Sequence, residues 1–207
     1  MEISKLQYIT NYQSEFSHLD QVKALIKSGI KWIQYRPKFA GKNEIFAEGK
    51  EIAALCKQHD IVFIMNDSVE LAQELNADGV HLGKKDMSPA IAREILGDEK
   101  IIGGTANTTE DIIKLVKQGV NYVGLGPYTY TRTKKNLSPV LGVEGYKTIC
   151  TYLEKSRINI PILAIGGIKE EDISLLTNTG IHGIAVSSVI SEANNITKKA
   201  KAFLEKI

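Results

Sequence analysis

Cations and carboxylates recur along the first half of the chain at spacings that could hold a phosphorylated ligand. Arg36 and Lys38 alternate in Gln34-Tyr35-Arg36-Pro37-Lys38, while Asn66-Asp67 and then Lys84 and Asp86 each follow a short apolar run. Guanidinium and ammonium groups make strong charge-assisted hydrogen bonds to phosphate oxygens. Asp67 and Asp86, if brought off neighbouring elements, suit Mg²⁺, which takes one or two carboxylates together with waters and a phosphate. Thr105 and Asn107 end a further run, and a long loop then carries Tyr128, Thr129, Tyr130, Thr131, Arg132, Thr133, Lys134 and Lys135. Asn136, Ser138, Pro139 and Gly142 keep that loop irregular, and loops of such length are usually functional or disordered. Gly166-Gly167 and Ser187-Ser188 offer backbone N–H groups, which bind phosphate without a charge of their own. Each feature also has a plainer role: surface cations, a helix cap at Asn66-Asp67, a loop carboxylate, a tight turn.

The elements that must position these groups repeat one pattern, a short β-branched run followed by a turn and an amphipathic helix. Strands are expected at Leu6–Thr10, Trp32–Arg36, Ile61–Met65, Gly79–Leu82, Ile101–Thr105, Tyr122–Gly126, Pro161–Ile165 and Gly183–Ser187. Helices are expected near 19–27, 42–58, 69–75, from Pro89, from Thr108 or Thr109 to Gly119, and over 144–155 and 194–206. Wholly apolar runs such as Ile61–Met65 suit strands buried on both faces. Eight units of roughly 26 residues, with no linker between them, predict one parallel sheet over residues 1–207. Eight strands close into a (β/α)8 TIM barrel, a single-domain α/β fold. A doubly wound open sheet usually has fewer strands and a glycine-rich first turn, which is missing after Thr10.

A chain of 207 residues with a formal charge of +2 has no basic block suited to nucleic acid. No window is long and apolar enough to span a membrane, and the N-terminus lacks a signal-peptide pattern, so a cytoplasmic protein is expected. Cys56 and Cys150 fall in helical segments without metal spacing and are expected as reduced core thiols. His18, His59, His81 and His182 show no ligand spacing either. Two of them fall on helices or helix ends away from the barrel mouth, and His81 is expected as a satisfied interior histidine. No general base stands out.

In a TIM barrel the active site lies at the C-terminal ends of the strands, and the last two loops form its usual phosphate site. Read that way, Arg36, Lys38, Lys134 and Mg²⁺ on Asp67 and Asp86 could hold a diphosphate. The glycine and serine loops suit a monophosphate. Such a pair of sites implies a reaction in which diphosphate leaves and a second phosphorylated molecule attacks.

Over nearly its whole length the chain resembles the thiamine-phosphate synthase family. Gln34-Tyr35-Arg36-Pro37-Lys38 is similar to the family's Q-x-R-x-K, Met65-Asn66-Asp67 to its strand-end N-D, and Gly79–Asp86 to its G-[IV]-H-[IL]-G-Q-x-D. Gly124-Leu125-Gly126-Pro127 with Thr131-Arg132-Thr133-Lys134-Lys135 resembles G-x-G-P…T-x-T-K-K, and Ile165–Ile168 and Val186–Ile190 resemble the last two phosphate loops. Their order and spacing together carry the resemblance. It implies joining of 4-amino-5-hydroxymethyl-2-methylpyrimidine diphosphate to 4-methyl-5-(2-phosphoethyl)thiazole with release of pyrophosphate, by a dissociative mechanism. It implies that Arg36, Lys38, Asn66 and Lys134 hold the diphosphate, that Asp67 and Asp86 hold Mg²⁺, and that Gln34 and Thr105 line the aminopyrimidine. Thr131, Thr133, Gly167, Ser187 and Ser188 would position the thiazole phosphate. The partners are then the two small substrates, with neither nucleic acid nor membrane, and a homo-oligomer is left open.

Several positions depart from the family pattern: Thr105 for Ser, Tyr130 for Pro, Lys84 for Gln, Pro37 within the basic motif, Ser68 for a charged residue and Asn107 for His. Lys84 is expected to add a cation near the metal. A thiazole tautomerase paralogue is the nearest alternative, but Pro127 stands where that paralogue has a histidine. A non-catalytic barrel that only binds a phosphorylated ligand is a second alternative. A sugar-phosphate isomerase is disfavoured by the lack of a strand-end Glu or His base.

Overall fold

Strand and helix alternate throughout the computed structural model, which describes residues 3–131 and 139–207. In chain order the elements are β1 (Leu6–Ile9), α1 (His18–Ile26), β2 (Trp32–Tyr35), α2 (Lys42–Gln58), β3 (Val62–Asn66), α3 (Val69–Glu74), β4 (Gly79–Leu82), α4 (Pro89–Leu96) and β5 (Ile101–Ala106). They continue with α5 (Thr109–Lys117), β6 (Tyr122–Leu125), α6 (Gly142–Lys155), β7 (Ile162–Ile165), α7 (Ile173–Thr177), β8 (Gly183–Val186), α8 (Ser188–Ser191) and α9 (Ile196–Lys206). All strand pairs are parallel, and β1 closes the barrel against β8 with Leu6 opposite Ile184.

The strands hold this arrangement because both of their faces are covered. Alternate residues point to opposite sides of a strand. One set, including Ile9, Trp32, Ile64, Ile101, Tyr122, Leu163 and Ala185, fills the barrel interior. The other set, including Ile33, Tyr35, Phe63, Val80 and Val123, packs against helix residues such as Val22, Leu25, Ile52, Ile112 and Phe203. The interior is tight enough to demand glycine opposite the Tyr122 ring: a Cβ on Gly103 would lie 2.2 Å from Tyr122 Cζ.

Helices start where side chains can satisfy their first N–H groups. Ser17, Ser68, Ser88, Thr108 and Asn195 each accept from a backbone N–H of the helix that follows. Differences from the expected elements are small and have local causes. Asn66 and Ala106 extend β3 and β5 because ladder pairing continues through Asn66–His81 and Ala106–Leu125. Asn195 caps α9 and so delays its start. The short α7 and α8 went unmarked because five and four residues are too few to show a helical period.

Candidate active site

Arg36, Lys38, Asp67 and Asp86 meet on one arc of the barrel mouth. Pro37 does not prevent this. The Lys38 ammonium is ion-paired with an Asp67 oxygen. Asp67 and Asp86 share a hydrogen bond, and the charge of Arg36 also acts on Asp67. Asp86 in turn accepts from the Gly83 N–H at 2.7 Å. Burial acts to raise the Asp67 carboxyl, but the Lys38 contact, the Asp86 hydrogen bond and Arg36 overcome it and leave the group below its usual value. Asp86 is pushed the other way, by partial desolvation first and then by the charge of Asp67, against the Gly83 N–H. Two carboxyls whose titration is split in this way form one coupled unit.

Backbone geometry sets the cluster. Asp67 sits at φ +68°, a left-handed conformation that Asp tolerates better than most residues, and its N–H donates to the His81 carbonyl at 2.8 Å. The Arg36 N–H donates to Thr10 Oγ1 at 2.9 Å, and its guanidinium lies 5.5 Å from the centre of the Tyr12 ring. Asn66, the last residue of β3, is buried beside Asp67. The cap of α3 comes from Ser68, whose Oγ accepts from Leu71 N–H at 3.1 Å, so neither Asn66 nor Asp67 is needed for that task.

Two expectations are corrected, those for Lys84 and His18. Lys84 turns from Asp86 and pairs with Asp111 at 2.5 Å, so it adds no free cation beside the carboxylates. Asn107 uses its amide to donate to the Gly126 carbonyl, tying the ends of β5 and β6 together. His18 opens α1 on the side of the mouth rather than away from it. Its ring is edge-on to Tyr35 with centroids 5.2 Å apart, and its pKa is lowered by burial, with Glu48 opposing and Arg36 adding to the effect.

Below the mouth, Gln34 and Thr105 belong to one polar chain. Gln34 Nε2 donates to Gln7 Oε1 at 3.2 Å, and Gln7 Nε2 donates to the Tyr122 hydroxyl at 3.2 Å. The hydroxyl lies 3.0 Å from His81 Nδ1, and His81 Nε2 lies 3.0 Å from Thr105 Oγ1. His81 is thus the satisfied interior histidine that its place in a buried strand implied. Gln7 and Tyr122 were not among the expected site residues. A glutamine inside the otherwise apolar Leu6–Ile9 run, at the inward register, was the available signal.

On another arc, the turn after β7 holds Gly166 at φ +99° and Gly167 at φ +69°. The loop after β6 lies directly on it: Tyr128 N–H donates to Ile165 O at 2.9 Å and Thr129 N–H to Gly166 O at 3.0 Å. A Cβ on Gly167 would come within 2.5 Å of the Tyr130 carbonyl oxygen. The returning chain is fixed at the same corner, with Leu141 N–H on Pro127 O and Gly142 N–H on Tyr128 O, both at 3.0 Å. Ser187 Oγ, after β8, is buried with no hydrogen-bond partner among the described residues. Ser188 begins α8, and Thr131 is the last described residue of the first leg. Thr133 and Lys134 lie outside the described residues, as do Arg132, Lys135, Asn136 and Ser138.

A closed parallel barrel with paired carboxylates and cations on one arc of its mouth, and a glycine turn with an open serine hydroxyl on another, is a TIM-barrel protein suited to receiving anions. A family model described as thiamine monophosphate synthase matches residues 6–190. The chain belongs to this family, and is therefore an enzyme, a transferase. It is similar to the thiamine-phosphate synthase of Bacteroides fragilis, 46% identical over 199 residues that cover 96% of this chain and 98% of that one. That of Flavobacterium johnsoniae is 49% identical over 191 residues, covering 92% and 90%. Among solved structures, thiamine phosphate pyrophosphorylase from Pyrococcus furiosus superposes with a TM-score of 0.85 at 31% identity, covering 97% of this chain and 94% of that one.

Proposed function

We propose that the protein condenses 4-amino-5-hydroxymethyl-2-methylpyrimidine diphosphate with 4-methyl-5-(2-phosphoethyl)thiazole, giving thiamine phosphate and pyrophosphate. Beyond family membership, the observation that carries this reading is the joined cluster of Arg36, Lys38, Asp67 and Asp86. A diphosphate needs cations, and a coupled carboxylate pair suits a hard divalent ion. The thiazole tautomerase alternative needs no such cluster.

Arg36, Lys38, Asn66 and Lys134 would hold the diphosphate. Asp67 and Asp86 fit Mg²⁺ as adjacent oxygen donors whose charges oppose each other, and the ion would supply charge neutralisation at the diphosphate oxygens. Gln34 and Thr105 would line the aminopyrimidine, while Thr131, Thr133, Gly167, Ser187 and Ser188 would seat the thiazole phosphate. The unpartnered Ser187 Oγ and the left-handed Gly166-Gly167 turn support that second seat.

In the reaction, the bond between the exocyclic methylene carbon and the diphosphate oxygen breaks, and its electron pair leaves with the diphosphate. The thiazole nitrogen then donates its lone pair to the pyrimidine-stabilised cation and forms the new C–N bond. No proton has to move. Arg36, Lys38 and Lys134 stabilise the departing charge, and the two seats hold nucleophile and electrophile in register. Residues 1–207 would act as one domain in the cytoplasm, which the free thiols of Cys56 and Cys150 support.

The test is pyrophosphate release with both substrates and with each alone. Release coupled to thiamine phosphate formation is expected when both are present; ligand binding without any turnover would leave a binding barrel instead.

A further inference from the structure

The chain of hydrogen bonds from Gln34 to Thr105 has a direction. Gln7 gives an amide N–H to the Tyr122 oxygen, so the tyrosine's own proton is left for His81 Nδ1. Burial pushes the Tyr122 phenol well above its usual value, against its hydrogen bonds with Gln7 and Gln34, so that proton stays on the oxygen. An accepting Nδ1 makes His81 a neutral ring with its hydrogen on Nε2, and this hydrogen goes to Thr105 Oγ1. Thr105 therefore accepts from below and has its hydroxyl proton free to donate into the mouth. At the other end Gln34 uses an N–H on Gln7, and its Oε1 remains as the acceptor.

Gln7, Gln34 and Tyr122 are at most 2% exposed and His81 is 8% exposed. Water is thus a poor substitute for a missing link, and a buried network with one broken link costs more than its share. Gly124 leaves the room this needs, since a Cβ there would lie 3.1 Å from His81 Cε1.

We propose that Gln7, Tyr122 and His81 are positioning residues that set the hydrogen-bond polarity of the pocket floor. The floor then selects a ring edge with an amino donor beside a nitrogen acceptor, as in a 4-aminopyrimidine, over the reversed edge of a 4-oxopyrimidine. The amino group donates to Gln34 Oε1, and Thr105 donates to the ring nitrogen. This deepens the functional reading above and rests on Gln34 and Thr105 being the pyrimidine contacts.

Three measurements test it. Nitrogen NMR of ¹⁵N-histidine-labelled protein reads the tautomer directly, with the His81 signal assigned by its loss in His81→Gln. The Nε2–H form is expected; the Nδ1–H form overturns the polarity. The second compares kcat/KM for the 4-amino and 4-oxo pyrimidine diphosphates in wild type and Tyr122→Phe, which keeps the ring and deletes the link. Sites built around hydrogen bonds discriminate by as much as about 10⁴–10⁵-fold. Tyr122→Phe is expected to lower the ratio at least about tenfold, with KM for the thiazole phosphate unchanged; an unchanged ratio in folded protein overturns the proposal. Gln7→Leu makes the same comparison if Tyr122→Phe does not fold. Binding of the two diphosphates, followed by fluorescence of the single tryptophan, Trp32, whose ring is 4.8 Å from Tyr122, reads the preference without turnover. Preferential binding without catalysis would remove the condensation reading and keep the polarity, whereas equal binding would remove the polarity whatever becomes of catalysis.

Discussion

The Lys38 ammonium pairs with the same Asp67 carboxylate that is hydrogen-bonded to Asp86, so cation and paired acids form one unit before any ligand arrives. Both partners of the ion pair are 34% exposed, which keeps its contribution to stability small. Its value would lie in the transition state, where the charge on the leaving diphosphate grows. Lys38→Ala and Asp67→Ala are each expected to lower turnover by roughly 10²–10³, the usual loss for one preorganised electrostatic partner. Pyrophosphate release and a melting curve on the same samples check this. Full activity in both variants would remove the site assignment.

Chelation gives a second test. EDTA is expected to abolish pyrophosphate release and added Mg²⁺ to restore it, because two adjacent carboxylates beside a diphosphate are the oxygen donors that Mg²⁺ takes. Asp86→Asn should raise the Mg²⁺ concentration needed for half-maximal release. Turnover that ignores the chelator would reject the carboxylate pair as the metal seat.

A pH effect is expected far from the mouth. Glu170 accepts from Lys199 at 2.8 Å and Lys206 at 2.7 Å, joining the turn before α7 to α9, and these contacts lower its carboxyl to about 2. A depressed folded pKa stabilises the protein above the unfolded value of about 4.5, and that stability is lost as pH falls through about 2. Glu170→Gln should therefore melt below wild type at neutral pH, and the gap should close on acidification. A gap that is constant with pH would mean the lysines do not act through charge.

The barrel was legible in the sequence because each strand is covered on both faces and six of the helices, α1 to α5 and α9, start at a capping side chain or a glycine. Strand ends then pointed to Arg36, Lys38, Asp67 and Asp86 without knowledge of their contacts. Where Lys84 goes depends on Asp111, which α5 brings from a different unit, and no local period encodes that meeting. The floor of the pocket was hidden for the same reason. Gln7 and Tyr122 are far apart in sequence and read as ordinary strand residues until closure of the barrel brings them together. Ser68 shows the reverse case, a cap three residues before the Leu71 N–H that it accepts from, which spacing alone could reveal.

The corner where the loop after β6 rests on the β7 turn allows stability and substrate binding to be separated. Gly166 sits at φ +99°, and a Cβ there would lie 2.9 Å from Pro127 Cβ and 3.0 Å from Pro127 Cα. Gly166→Ala therefore combines left-handed strain with overpacking against backbone, a loss of about 1–3 kcal/mol. Relief requires Pro127–Thr129 to shift, which moves the first leg of the loop bearing Thr131. Tyr146→Phe perturbs the same corner from outside the barrel. It deletes the hydroxyl that donates to the Leu125 carbonyl, leaving a buried acceptor unpaired at a cost of about 1–3 kcal/mol. The two variants should melt at similar temperatures, but Gly166→Ala should raise KM for the thiazole phosphate more, because its strain falls within the proposed phosphate seat, whereas the Tyr146 hydroxyl meets that turn only through the Ile165 N–H at 3.4 Å. Equal KM in both would make the glycine turn a purely structural joint and move the monophosphate seat away from it.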